Sequence, residues 1–126
     1  MDDELVSVRY LVDDVDRSIA FYTGHFGFTL RMQAGAAFAD VTRGRLRLLL
    51  SGPASSGRRA MADGEVPVPG GWNRVLLVVD DVAAEVERLQ AAGVPLRNEI
   101  VTGPGGSQVL AIDPDGNLVE LFQPAG

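Results

Sequence analysis

Two hydrophobic periods run along this chain, and they succeed one another in the same order twice. "VSVRYLV" (Val6–Val12) alternates at period two, with Val6, Val8, Tyr10 and Val12 on one face of a strand and Ser7 and Arg9 on the other. From Val15 the period lengthens, and Val15, Ile19, Tyr22 and Phe26 recur at helical spacing as one apolar face. The same switch returns downstream. Arg74, Leu76 and Val78 share one face of a second strand, with Val75, Leu77 and Val79 on the other, and Val82, Val86 and Leu89 repeat the helical face.

The repetition extends to the residues between the two periods. "VDDV" stands at Val12–Val15 and again at Val79–Val82. Asp14 and Asp81 are placed as N-caps, where a carboxylate accepts free amide hydrogens of the first turn, and Gly27 and Gly93 follow the helix ends. Three short strands are predicted after each helix: about Phe28–Gln33, Ala37–Thr42 and Arg45–Ser51, then about Leu96–Val101, Gln108–Asp113 and Leu118–Gln123. "TRGR", "TGPGGSQ" and "DPDGN" supply the Gly, Asp and Asn that tight turns need. Each copy reads β-α-β-β-β, an internal duplication.

The expected organisation is a single domain over residues 1–126, with module one at about 4–51, module two at about 72–124, and a lid or plain linker at about 52–71. That middle stretch, "SGPASSGRRAMADGEVPVPGG" from Ser51, is too rich in Gly, Pro and Ser for a core element. Its Arg58–Arg59 is expected either to be solvated or to clamp an anion.

Composition narrows the function. At 126 residues, 46% hydrophobic and 22% charged, the chain can bury a core. There is no cysteine, hence no disulfide, thiolate metal site or cysteine nucleophile. All 11 basic residues are arginine, which excludes Schiff-base lysine chemistry. A net charge of −6 without a basic stripe argues against nucleic acid and anionic membranes. No stretch approaches the roughly 18 apolar residues of a membrane span. "MDDELVSVRY" does not read as a secretory signal, so a cytoplasmic location is expected.

Several motifs prove bland. His25, the single histidine, falls at the end of the first helix, where a basic group suits the helix dipole. "TGPGGSQ" lacks the Lys and Ser/Thr of a phosphate loop and reads as a hairpin turn. No G-x-S-x-G accompanies the lone histidine, so a Ser-His-Asp mechanism has no support.

The helix pattern "VDDVDRSIAFYTGHFGF" and the ending "DPDGNLVELF" together resemble the vicinal oxygen chelate superfamily, which includes glyoxalase I, extradiol dioxygenases, and fosfomycin- and bleomycin-resistance proteins. The resemblance covers nearly the whole chain. It implies an α+β fold of two tandem βαβββ modules forming a curved, funnel-like mixed sheet, and usually a homodimer. It also implies four metal-ligating strand positions, which fall here on Ser7, Leu48, Arg74 and Glu120 when "GRLRLLL" is aligned with "GNLVELF". Of these only Glu120 suits a divalent ion, since a serine hydroxyl is a poor ligand and a guanidinium has no lone pair to offer. No metal and no cofactor is expected.

Glu120 interrupts an apolar strand and needs a counter-charge, a metal or water. Face parity sets it in the implied cavity beside Arg74 and Arg9, making an arginine the expected partner. The cavity would be lined by Ser7, Arg9, Phe38, Leu48, Leu50, Trp72, Arg74, Leu76, Glu120 and Phe122. Two functions are expected from the resemblance. One is a binding protein similar to the bleomycin-resistance branch, holding an organic, aromatic or anionic ligand without chemistry. The other is a glyoxalase- or dioxygenase-like enzyme with a metal or with Glu120 as base, a role that a neighbouring arginine weakens. An empty scaffold module is a third reading.

Overall fold

A computed structural model describes residues 4–126; Met1–Asp3, which head the acidic N-terminal stretch, lie outside the described residues. The chain divides into two compact units, Met1–Gly70 and Gly71–Gly126. In the first, β1 (Val6–Leu11) leads into α1 (Val15–His25), then β2 (Thr29–Ala34), β3 (Phe38–Arg43) and β4 (Leu46–Ser51). The second repeats the plan with β5 (Val75–Val78), α2 (Val82–Ala91), β6 (Val101–Gly103), β7 (Gly106–Ile112) and β8 (Leu118–Pro124). Sheet orders are β1-β4-β3-β2 and β5-β8-β7-β6, with the first pair parallel in each and the others antiparallel. These are two tandem β-α-β-β-β modules of an α+β fold.

Local chemistry sets the helix ends. The Asp14 carboxylate accepts from the Arg17 amide at 3.1 Å, and Asp81 accepts from Ala84 at the same distance. Each cap removes an orphan donor and contributes about 1 kcal/mol. Both helices then bury one face on their own sheet. Around α1, Tyr22 is fully buried and meets Phe28 and Tyr10 edge-on, at centroid separations of 5.7 and 6.2 Å. Around α2, Val82 and Leu89 close over Val109, Ala111, Val119 and Leu121. Each such side chain contributes about 1.5–3 kcal/mol by leaving water. His25 ends α1 with its ring 5.3 Å from that of Phe21.

One predicted strand differs. Leu96–Val101 is not continuous: Leu96 makes an isolated bridge to Ala111, and pairing resumes only at Val101. The reason is a side chain in place of the ladder, because Asn98 Oδ1 accepts from the Leu110 amide at 3.0 Å. In the hairpin that follows, Gly106 is required. Its φ is +146°, and a Cβ there would fall 2.1 Å from the Gln123 carbonyl oxygen.

The segment after β4 folds onto its own unit. A 3-10 turn at Ser56–Arg58 presents Arg58, whose Nη1 donates to the Val12 carbonyl at 2.7 Å and whose Nε donates to the Pro67 carbonyl at 3.1 Å. Arg58 is therefore not solvated: backbone oxygens accept from its guanidinium, the Asp13 carboxylate lies 3.4 Å from Nη1, and the side chain is 10% exposed. Arg59 stays exposed. No helix among the described residues is long and apolar enough to cross a membrane.

Candidate functional site

In each module one sheet face packs on the helix and the other is open. The β1–β4 register pairs Ser7 with Arg47, Val8 with Leu48, Arg9 with Leu49 and Tyr10 with Leu50. Leu48 and Leu50 thus share the Tyr10 face, which packs on α1, and both are completely buried. Neither lines the open face, contrary to the alignment of the two last strands. In module two Leu76 pairs with Glu120, and Leu76 and Arg9 occupy the same place relative to "VDDV". The counterpart of Glu120 is therefore Leu49. The aligned turns differ by one residue, and with side-chain period two a one-residue slip moves every side chain to the opposite face.

The open face of the second sheet carries Arg74, Leu76 and Val78 beside Glu120 and Phe122. Glu120 is 6% exposed. Its Oε1 accepts from Arg74 Nε at 2.9 Å and lies 2.8 Å from Nη2, a charge-assisted contact in which two nitrogens converge on one oxygen. Arg74 Nη1 also donates to the Trp72 carbonyl at 3.2 Å, which ties the strand entry to the pair. Glu120 makes no other hydrogen bond among the described residues, so its Oε2 has no protein donor there. Leu76 and Val78 are exposed apolar neighbours.

The first sheet solves a similar problem elsewhere. Asp40 on β3 lies opposite Leu49 and is 2% exposed. Arg31 Nη1 donates to its Oδ2 at 2.7 Å, and Arg47 Nη1 stands 3.7 Å from the same oxygen. Arg31 sits where the β2 register shifts, and such a bulge re-aims a side chain. Oδ1 is buried without a partner. Ser7 Oγ accepts from Arg47 Nε at 2.9 Å, and Arg9 Nη1 donates to Ser51 Oγ at 2.8 Å, directly opposite Phe38. Sequence reasoning missed this cluster. Its signal was the same as for Glu120, a carboxylate inside an apolar strand, "FADVT".

The second unit has a larger and a smaller recess on its surface. The larger, about 680 Å³, runs between α2 and the irregular segment after it and is lined by Val86, Gln90 and Val94–Ile100. It holds neither Arg74 nor Glu120, so size alone is a poor guide here. The smaller, about 270 Å³, is lined by Gly71, Trp72, Arg97, Ile112, Gly116 and Leu118. Arg97 lies 5.4 Å from the Trp72 ring centroid. No sequence pattern pointed to Arg97, because it sits in the interrupted strand.

Among the described residues no group of three His, Cys, Asp or Glu side chains is arranged to hold a metal ion. With Leu49 in place of Leu48, the four strand positions become Ser7, Leu49, Arg74 and Glu120, and this donor set does not fit a divalent ion.

The chain is similar to several solved structures. A lactoylglutathione lyase from Agrobacterium tumefaciens shares 26% identity, with 97% of this chain and 94% of that one covered at a TM-score of 0.74. TnmS3, an antibiotic binding protein from a Streptomyces species, shares 28% identity, with 98% of each chain covered and a TM-score of 0.74. The fosfomycin resistance protein FosX of Listeria monocytogenes has the same fold, at 18% identity, 99% and 96% coverage, and a TM-score of 0.72. No curated protein is detectably similar in sequence. The family model described as Glyoxalase/Bleomycin resistance protein/Dioxygenase superfamily matches residues 4–121, and the chain belongs to that superfamily.

Proposed function

We propose that this protein binds a small organic molecule without a metal, in the manner of an antibiotic binding relative rather than of a lyase. The observation that carries the reading is the Arg74–Glu120 contact at 2.8–2.9 Å. A guanidinium occupies the place where a divalent ion would need its second donor in this module. Around it, exposed Leu76 and half-buried Phe122 offer apolar walls, and Glu120 Oε2 offers an acceptor, the usual make-up of a small-molecule site. Ser7, Arg9 and Phe38 would play the matching part on the first sheet, with Trp72 at the entry to β5. The similarity to TnmS3 supports a binding role. We place the protein in the cytoplasm as a homodimer, in which a second copy covers exposed Val78 and leaves Leu76 to the ligand.

An enzymatic reading keeps one support, the comparable similarity to a lactoylglutathione lyase. Metal content separates the metal-free binding reading from a metal-dependent enzyme. After dialysis against nickel, zinc, manganese and iron in turn, mass spectrometry is expected to find almost no ion per chain. One tightly held ion per chain or per dimer would overturn the binding reading and put a metal-dependent enzyme in its place. Sedimentation then gives the oligomeric state, with a monomer at micromolar concentration excluding the dimer.

A further inference from the structure

We infer that the recess between Trp72 and Arg97 is a subsite for a planar anion, a ring bearing a carboxylate, with Arg97 as the residue that recognises the charge. The inference rests on the small-molecule reading and adds a residue and a ligand class to it.

Charge accounting within the second unit singles out Arg97. That unit holds three arginines: Arg74, Arg88 and Arg97. Arg74 lies 2.8 Å from Glu120, and Arg88 lies 2.8 Å from Glu85. Arg97 has no carboxylate partner among the described residues, and its only side-chain contact of this kind is the Trp72 ring. A guanidinium stacked on an indole is already oriented, and the N–H groups on its edge remain to meet a carboxylate in a forked pair.

Shape and chemistry agree with charge. Trp72 is 63% exposed, a large apolar surface to leave in water unless something lies against it. The recess floor is Ile112 and Leu118, which pair across β7 and β8 on the open face that also carries Glu120. Its rim is Gly71 and Gly116, at φ +93° and +85°, where even a Cβ would meet nothing within 4 Å. Two features hold the walls in place. The Arg97 amide donates to the Leu110 carbonyl at 2.8 Å, and the Trp72 carbonyl accepts from Arg74. A volume of about 270 Å³ has room for one substituted ring.

Trp72 is the sole tryptophan, so its emission reports on the recess directly. Benzoate, benzyl alcohol and cyclohexanecarboxylate are titrated in turn into the full-length protein, which separates the effect of charge from that of planarity. Benzoate is expected to change Trp72 emission saturably, with a Kd about tenfold below those of the neutral ring and the puckered anion. Arg97→Gln should raise the benzoate Kd about tenfold, and Arg97→Lys should restore only part of the loss because lysine lacks the planar fork. The exposed position of Arg97 means both variants should melt with the wild type. No saturable change with benzoate, equal affinity for benzyl alcohol, or a benzoate Kd indifferent to Arg97→Gln would each overturn the subsite. Emission that changes only with protein concentration, in step with dimerisation, would assign the recess to a second copy and overturn it too. If amide resonances of Leu76 and Phe122 respond to a ligand while Trp72 does not, the subsite fails and the binding function stands.

Discussion

On the second sheet the buried carboxylate, Glu120, has one arginine; on the first, Asp40 has two. The carboxylates stand on different strands, β8 and β3, and the equivalent places in the opposite copy are taken by Leu49 and Leu110. What the duplication preserved is therefore the backbone plan and the apolar helix-facing side. What diverged is the open face, where side chains are free to change without disturbing the core. The arginine count also sets redundancy. Arg74 stands alone against Glu120, whereas Arg47 already waits 3.7 Å from the oxygen that Arg31 holds.

That difference can be broken experimentally. Leu48→Ala should cost about 3 kcal/mol in denaturant unfolding, the usual cost of a cavity in a closed core, and Leu49→Ala well under half of that. Equal losses would put Leu48 back on the open face. Arg74→Ala should cost about 3 kcal/mol, because it strands a buried carboxylate. Pairing it with Glu120→Leu should recover most of the loss; a single-variant loss below about 0.5 kcal/mol would mean a solvated pair. Arg31→Ala should cost only about 1 kcal/mol, and Arg31→Ala with Arg47→Ala more than the two singles summed, since each covers for the other. Additive losses would disprove the redundancy.

The smallest effects sharpen what the modules share. Asp14→Ala and Asp81→Ala should each cost about 1 kcal/mol, equal within error, because both caps have the same geometry. Arg88→Ala breaks an exposed pair with Glu85 three residues away and should cost about 0.3 kcal/mol.

Legibility followed the strength of local signals. The helices, their aspartate caps and their following glycines were readable because cap chemistry and apolar spacing act within a few residues. So was the meeting of Glu120 with Arg74, since strand parity placed both on one face. The register of β4 was not. "RLRLLLS" is apolar at successive positions, so alternation does not say which leucines face the helix, and only pairing with β1 does. The break in Leu96–Val101 was hidden as well, because Asn98 replaces a ladder bond through a partner 12 residues away.

The sequence by itself determined the duplicated β-α-β-β-β plan, the aspartate-capped helices and the apolar face of each helix. These depend on residue type and on periods of 2 and 3.6, which every stretch carries within itself. Tertiary structure alone decided that Leu49 stands where Glu120 does, that Asp40 gathers Arg31 and Arg47, and that Arg97 comes to rest on Trp72. Each of these depends on which strand or segment lies beside which. That is settled by hydrogen-bond register and packing between residues distant in the chain, not by any pattern along it.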